Sequence, residues 1–329
     1  MVVMADGYRA GNDISKFEEY AKDAFEDAST FHYTKNRNTH DHITNRFFER
    51  FWYDINVVMV KTVSNSSGIN TVAGYREKDT ILQVNSDISG AKNDFKAGNS
   101  NNIQKVINRN FEKIGLAPKN IDVIIIFVNQ AIRSYTIINE NNMGERNYQP
   151  INRVVIGAPT GYSRYSANFH DTVRTSSITH ELGHALAHLD DEYIEAGKNP
   201  GYSPALRNID LVANRNNPKW RGLPSVYFTS NIPSVDTDHR VGNFVGAFYD
   251  PIEYIRPTYK STMAADLAST DYQFGPVNTY HLTGSFKTRM GEIVEQDPGY
   301  ALWEKNNYEW KGYSFNDFTW EWSINDFYY

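Results

Sequence analysis

The residues best suited to chemistry lie in Ser176 to Tyr193, SSITHELGHALAHLDDEY. His180 and His184 are one helical turn apart, about 6 Å along a helix axis, so both imidazoles can point at one ion. Glu181 follows the first histidine and can reach a water on that ion without being a ligand. This is H-E-x-x-H, the pattern of a zinc hydrolase whose Glu is the general base. Ile178, Leu182, Ala185, Leu186 and Leu189 form an apolar stripe at helical spacing, and Ser176 or Ser177 could cap the helix start. Gly183 leaves room beside the metal. On this reading Glu181 is catalytic and His180 and His184 hold the metal. Two satisfied histidines decorating a surface helix are the plain alternative. The helix period, the capping serines and the acidic Asp190, Asp191 and Glu192 just beyond weigh against it.

A catalytic zinc needs a third protein ligand. Continuing the helix at about 100° per residue puts Asp191 within about 20° of both histidines, while Asp190 falls about 80° from the nearer one. On a straight helix Asp191 would still sit ~10 Å beyond His184, so the chain has to bend back after His188 to deliver it. His188 would lie ~12 Å from His180, too far to share one tetrahedral ion, and reads as a cleft residue or a structural one. Glu292 or Glu295 on a later helix is the thermolysin-like alternative. The chain has no cysteine, which excludes thiolate zinc, iron–sulfur clusters, disulfides and a cysteine nucleophile, so any metal site must use His, Asp or Glu.

The elements that must position these residues follow from periodicity. Val2–Met4 is a short apolar run ending at the turn signal Asp6-Gly7. Phe17 to Ala28 has helical spacing, as has Asn102–Ile114 through Ile103, Val106, Ile107, Phe111 and Ile114. Ile55–Val63 and Val154–Ala158 are strand-like, and the unbroken apolarity of Ile121–Val128 predicts an interior strand. Strands alternating with helices over the first ~190 residues point to an α/β lobe. Residues 194–262 have recurrent Pro, Gly and Asn and no long amphipathic period, which predicts a loop-rich stretch. Helical patterning returns from Val277 to Val294 through Tyr280, Leu282, Phe286, Met290 and Ile293. Four of the six tryptophans (Trp303, Trp310, Trp320, Trp322) fall in the last thirty residues, where Phe318, Trp320, Trp322 and Ile324 alternate as in a strand.

A net charge of -6 and the lack of a Lys/Arg run give no electrostatic footprint for nucleic acid. The longest apolar run, Val123 to Val128, is too short to span a bilayer. Met1–Ala10 does not read as a secretory signal, so the chain is expected to be cytoplasmic or a mature fragment whose leader was removed. Asp236 and Asp238 offer oxygens for a structural calcium, although such clusters are usually solvated turns.

The stretch HELGHALAHLDDEY resembles the active-site helix of the bacterial zinc metallopeptidases typified by the immunoglobulin A peptidase, which run H-E-x-G-H with a downstream Asp-Glu-Tyr. VVMADGY, with Asp6-Gly7-Tyr8, is similar to that family's first strand and turn. IDVIIIFVNQ resembles its interior strand ending in Asn, here Asn129. NRNNPKW and VGNFVGAFYDPIEYIRPTYKSTM resemble the region leading to its methionine turn, with Arg256, Pro257, Ser261 and Met263. The likeness covers about residues 2–295. It implies an α/β (α+β) metzincin-like fold. The upper lobe, about 1–189, would hold a mixed twisted sheet and helices including the active-site helix. The lower lobe, about 190–295, would be smaller and irregular with a C-terminal helix. The aromatic segment 296–329 would be a β segment of the same domain or the start of another.

The resemblance further implies one catalytic zinc on His180, His184 and Asp191 (Asp190 being the less favoured carboxylate), Glu181 as base, and Met263 under the metal. The expected activity is endopeptidase cleavage of a protein or peptide substrate by a secreted or cell-surface bacterial enzyme. Two departures stand out. Metzincins turn the chain with a Gly where this sequence has Ala187, and no Tyr follows Met263 closely. His188, Tyr193, Tyr254 and Tyr259 are candidates for substrate contact. Substrate would lie extended along an edge strand, for which Val154–Ala158 is the nearest choice before the helix. The alternative from another class is a binding or adhesion protein that keeps the fold, with a weak or vestigial site, and uses its aromatic C-terminal surface.

Overall fold

The computed structural model of the chain describes residues 1–30, 55–70, 78–86, 97–111, 121–138, 151–158, 167–195, 207–223, 241–259, 261–264, 274–289 and 322–327. Glu292, Glu295, Asp236, Asp238, Met290, Ile114, Phe318, Trp303, Trp310 and Trp320 lie outside them. Two compact units are present. One contains the described residues of Met1–Ser29, Ile55–Ala185 and Thr319–Tyr329, the other those of Thr30–Asp54 and Leu186–Phe318.

The first unit is built on a mixed six-stranded sheet. Its strands are β1 (Val2–Asp6), β2 (Val58–Thr62), β3 (Val123–Val128), β4 (Tyr135–Ile137), β5 (Asn152–Gly157) and a C-terminal strand, Trp322–Phe327, in the order β4-β5-β3-β1-β2 and then the C-terminal strand. All pairs are parallel except β4 with β5, which is antiparallel in the register Thr136↔Val154. All six residues of β3 are buried. A strand between two parallel neighbours and covered on both faces cannot alternate, which is why its sequence is uniformly apolar. Successive side chains then feed two different cores. Val2, Met4, Val60, Ile124, Ile126, Val128 and Val155 meet Ile103, Val106, Ile107 and Phe111 of helix α2, Ser100–Phe111. Phe127 points the other way, and its ring meets Phe17 of α1 (Asn12–Thr30) edge-on at 6.1 Å.

Val154–Ala158 is not an edge. As part of β5 it has β3 on one side and β4 on the other, and among the described strands β4 is the outer one on that side, with Thr136 bonded to Glu181 of the motif helix. Sequence proximity to the helix pointed to β5. The short strand β4, with only partly buried residues, carries too weak a pattern to be found from sequence.

The D-G-Y turn after β1 has a structural reason for each of its first two residues. Buried Asp6 accepts hydrogen bonds from the backbone N–H groups of Leu82 (3.0 Å) and Val84 (2.8 Å) and from the hydroxyls of Thr80 and Ser64. It thereby ties residues 80–84 to the end of the strand. Gly7 has φ 73°, and a Cβ there would meet the Gly68 carbonyl oxygen at 2.5 Å.

The motif helix, α3, spans Ala167–Ala187. It therefore starts nine residues or more before Ser176 and Ser177, which lie inside it and do not cap it. Apolar periodicity marks where a helix packs, not where it begins, and no Gly or Pro between 167 and 176 interrupts it.

In the second unit, residues 194–262 are more regular than their composition suggests. β6 (Asp210–Leu211), β7 (Phe244–Ala247) and β8 (Asp250–Arg256) form an antiparallel sheet in the order β6-β8-β7. These strands are short and irregularly exposed, so no alternation betrays them. Helix α4, Gly275–Arg289, supplies buried Val277, Leu282 and Phe286. Among the described residues, no helix is long and apolar enough to cross a membrane.

Candidate metal centre

Helix α3 presents His180, Glu181 and His184 in its last two turns. Leu182, Ala185, Leu186 and Leu189 are buried and pin this end of the helix. The helix stops at Ala187, and His188 takes φ 53°, the left-handed conformation in which helices commonly terminate. Glycine is usual there. His188 makes the reversal without one, and the chain turns back as the distance argument for Asp191 requires.

The consequence is a group of three donors. Among the described residues, one set of His and carboxylate side chains could hold a metal ion: His180, His184 and Asp191, whose ligating atoms all lie within 4.8 Å of one another. His180 Nε2 and His184 Nε2 are 3.1 Å apart, with their rings nearly perpendicular at 85°. Two nitrogens each 2.0–2.1 Å from a tetrahedral zinc would be separated by about 3.3 Å, so the donor set fits such an ion. Asp190 is not in the group. It is buried, and its backbone is clamped by Asn208, which accepts from the Asp190 N–H at 2.7 Å and donates Nδ2 to the Asp190 carbonyl at 2.9 Å.

Glu181 is buried beside the histidines in sequence and is held by an unexpected partner. The Thr136 hydroxyl on β4 lies 2.7 Å from Glu181 Oε2 and 3.0 Å from its carbonyl oxygen. With one proton it donates to one of these at a time, the shorter contact being to the carboxylate. The neighbouring Tyr135 hydroxyl donates to the Asn85 carbonyl at 3.0 Å. Burial, then the charges of Asp6 and Glu181, push its pKa well above the usual tyrosine value, so it stays protonated. For a hydrolysis that uses Glu181 as its base, Thr136→Val is expected to lower kcat roughly 10- to 100-fold with KM little changed, and Thr136→Ser to restore it, because a hydrogen bond to a charged group is worth ~1.5–3 kcal/mol. Steady-state kinetics of the two variants would check this.

Asp191 is buried and accepts at Oδ2 from two phenols, the Tyr193 hydroxyl at 3.1 Å and the Tyr249 hydroxyl. Burial, then the Asp191 carboxylate, push the Tyr249 pKa above the usual tyrosine value. Tyr249 was not visible as a site residue in the sequence. It lies 58 residues from Asp191, in no motif with it.

Glu192 is the next unexpected element. Fully buried, it accepts from Asn208 Nδ2 (2.9 Å), Asn278 Nδ2 (2.9 Å) and the Ser261 hydroxyl. Burial raises its pKa, while those three donors and the charge of Arg256 oppose the rise. Its N–H donates to the Met263 carbonyl at 2.8 Å, and Ser261 Oγ accepts from the N–H groups of Met263 and Ala264. Hence Ser261 and Met263 are held in a 3₁₀ turn, Thr262–Ala264, with the Met263 side chain fully buried. Arg256 donates to the Gly246 and Tyr259 carbonyls.

The remaining candidates are placed differently. Tyr254 packs its ring against Phe248 at 5.6 Å, and Tyr259 lies against Phe244 at 5.7 Å with the Arg256 guanidinium 5.8 Å over its ring. Tyr193 does reach the donor group through Asp191.

No family model matches the chain, and no curated protein matches it.

Proposed function

We propose that the chain is a zinc-dependent endopeptidase of the immunoglobulin A peptidase-like, metzincin-like kind, cleaving a protein or peptide substrate. The observation that carries this reading is the approach of ligating atoms of His180, His184 and Asp191 to within 4.8 Å of one another, with the buried carboxylate Glu181 directly after His180 on the helix. His180, His184 and Asp191 would hold the ion. Bound zinc supplies Lewis acidity, bringing the pKa of a water towards ~7 and polarising a carbonyl.

The chain's own residues do the rest. Glu181 accepts the proton of the attacking water at its carboxylate and passes it to the leaving amine nitrogen. Thr136 holds that carboxylate through its 2.7 Å hydrogen bond. The strand β4, Tyr135–Ile137, is the outer one among the described strands and carries Thr136, so it is the strand beside which an extended peptide would lie. By the same resemblance the fully buried Met263 would lie below the ligands, a soft side chain that does not compete for the ion.

The test is metal removal. Chelator-treated protein should lose all cleavage of a broad peptide library and regain it with added zinc, the zinc content being measured alongside. Stoichiometric zinc with no cleavage of any peptide would sink the peptidase reading and leave a binding protein.

A further inference from the structure

We infer that the Tyr249 hydroxyl, seconded by that of Tyr193, is a positioning device for the Asp191 carboxylate, delivered by a β7–β8 turn in a backbone conformation that side chains rarely adopt. The inference rests on the reading of Asp191 as a metal ligand but not on peptidase activity.

The turn itself is the first observation. Ala247, the last residue of β7, pairs with Asp250, the first of β8, so the connection consists of Phe248 and Tyr249 alone. Both have positive φ, 50° and 66°. A two-residue hairpin with two left-handed residues is ordinarily Asn-Gly or Asp-Gly, because a Cβ is disfavoured there. Two large aromatics at these positions are a local conflict, and such conflicts gather where a side chain is needed in one place.

The second observation is what the turn rests on. Phe248 N–H donates to the Asp191 carbonyl at 2.8 Å, Tyr249 N–H to the Tyr193 carbonyl at 3.0 Å, and Glu195 N–H to the Tyr249 carbonyl at 3.3 Å. The turn is thus bonded to the backbone of the residues that carry the carboxylate. Gly246 (φ 97°) permits the approach, since a Cβ there would meet Ile194 Cδ1 at 2.4 Å. Phe248 anchors the turn in a small core with Ile209 and Ala247. Tyr249 is left to reach Asp191 Oδ2, where Tyr193 also donates at 3.1 Å. The two hydroxyls are 3.3 Å apart and their rings 5.1 Å apart. Two phenol donors on one carboxylate oxygen fix its rotamer and remove the entropy an ion would otherwise have to freeze out. Partners of this kind are worth about 10–100-fold in metal affinity.

The experiment measures zinc affinity by competition with a chromophoric chelator, together with thermal melting, on the unaltered chain and on Tyr249→Phe, Tyr249→Asn, Tyr193→Phe and Asp191→Asn. We expect Tyr249→Phe and Tyr249→Asn to weaken zinc binding at least about 10-fold and Tyr193→Phe to weaken it less. The visible spectrum of the cobalt-substituted protein should shift in Tyr249→Phe. Asn suits the left-handed position, so Tyr249→Asn should melt no lower than Tyr249→Phe while still losing affinity. A turn that merely needs a tyrosine for stability would not give that separation. Zinc affinity within about twofold of the unaltered chain in both Tyr249 variants overturns the inference. If the Tyr249 variants do not fold, unchanged affinity in Tyr193→Phe overturns it and weakened affinity supports it. Should Asp191→Asn bind zinc as tightly as the unaltered chain, the ligand assignment fails, and this inference with it. If Asp191→Asn loses zinc and the tyrosine variants do not, only the tyrosine inference fails.

Discussion

Glu181→Gln is expected to reduce peptide cleavage by at least about 1,000-fold while zinc affinity stays within about twofold of the unaltered chain. The substitution keeps size and shape, and the Thr136 hydroxyl can still donate to the amide oxygen as it does to Oε2 at 2.7 Å. What disappears is the basicity of the carboxylate, which on the proposed mechanism takes a proton from water and returns it to the amine. Metal binding should survive because the donor group consists of His180, His184 and Asp191, without Glu181. Single-turnover cleavage and metal analysis on the same preparation make the two readouts inseparable from one sample. A variant that cleaved peptides at the normal rate would show that Glu181 is not the base, whatever the metal does.

The second large effect is on stability. Glu192→Ala should lower the free energy of unfolding by ~1–3 kcal/mol in urea titrations, the usual scale for leaving buried hydrogen-bond donors without their acceptor. Its carboxyl is fully buried, and its loss strands Asn208 Nδ2, Asn278 Nδ2 and the Ser261 hydroxyl, which converge on it from three parts of the sequence. Asn208 and Asn278 would keep one bond each, to the Asp190 and Phe274 carbonyls, which tempers the cost. Glu192→Gln should fall between, since its amide group turns one acceptor into a donor facing donors. A loss below about 1 kcal/mol for Glu192→Ala would mean that the network closes up without it and that the methionine turn is held by other contacts.

The two expectations separate what the acidic run DDE does. Three adjacent carboxylates look alike in sequence, yet each has a different environment. Asp190 is fixed through its backbone by Asn208, Asp191 faces the histidines under two phenols, and Glu192 is the hub of the methionine turn. Helix arithmetic ranks Asp191 above Asp190, but the helix stops at Ala187 and the chain reverses at His188, so it is the turn and not the helical angle that brings Asp191 to the histidines. The same arithmetic could say nothing of Glu192, whose partners lie 16, 69 and 86 residues away.

By itself the sequence determined what is local or periodic. The i, i+4 spacing of His180 and His184, the buried stripe of the same helix, the interior strand Val123–Val128 and the α2 register are all written in consecutive residues, since backbone geometry converts spacing directly into direction. The lack of cysteine limited the metal donors before any fold was known. The tertiary structure decided the rest: that β4 and not β5 is the outer of the described strands, that α3 begins at Ala167, and that residues 194–262 include a three-stranded sheet. It also decided that Thr136 holds Glu181 and that Tyr249 reaches Asp191. These are pairings between segments tens of residues apart. Each side carries an ordinary residue with no periodic signal, and only the closing of the chain gives that residue a partner.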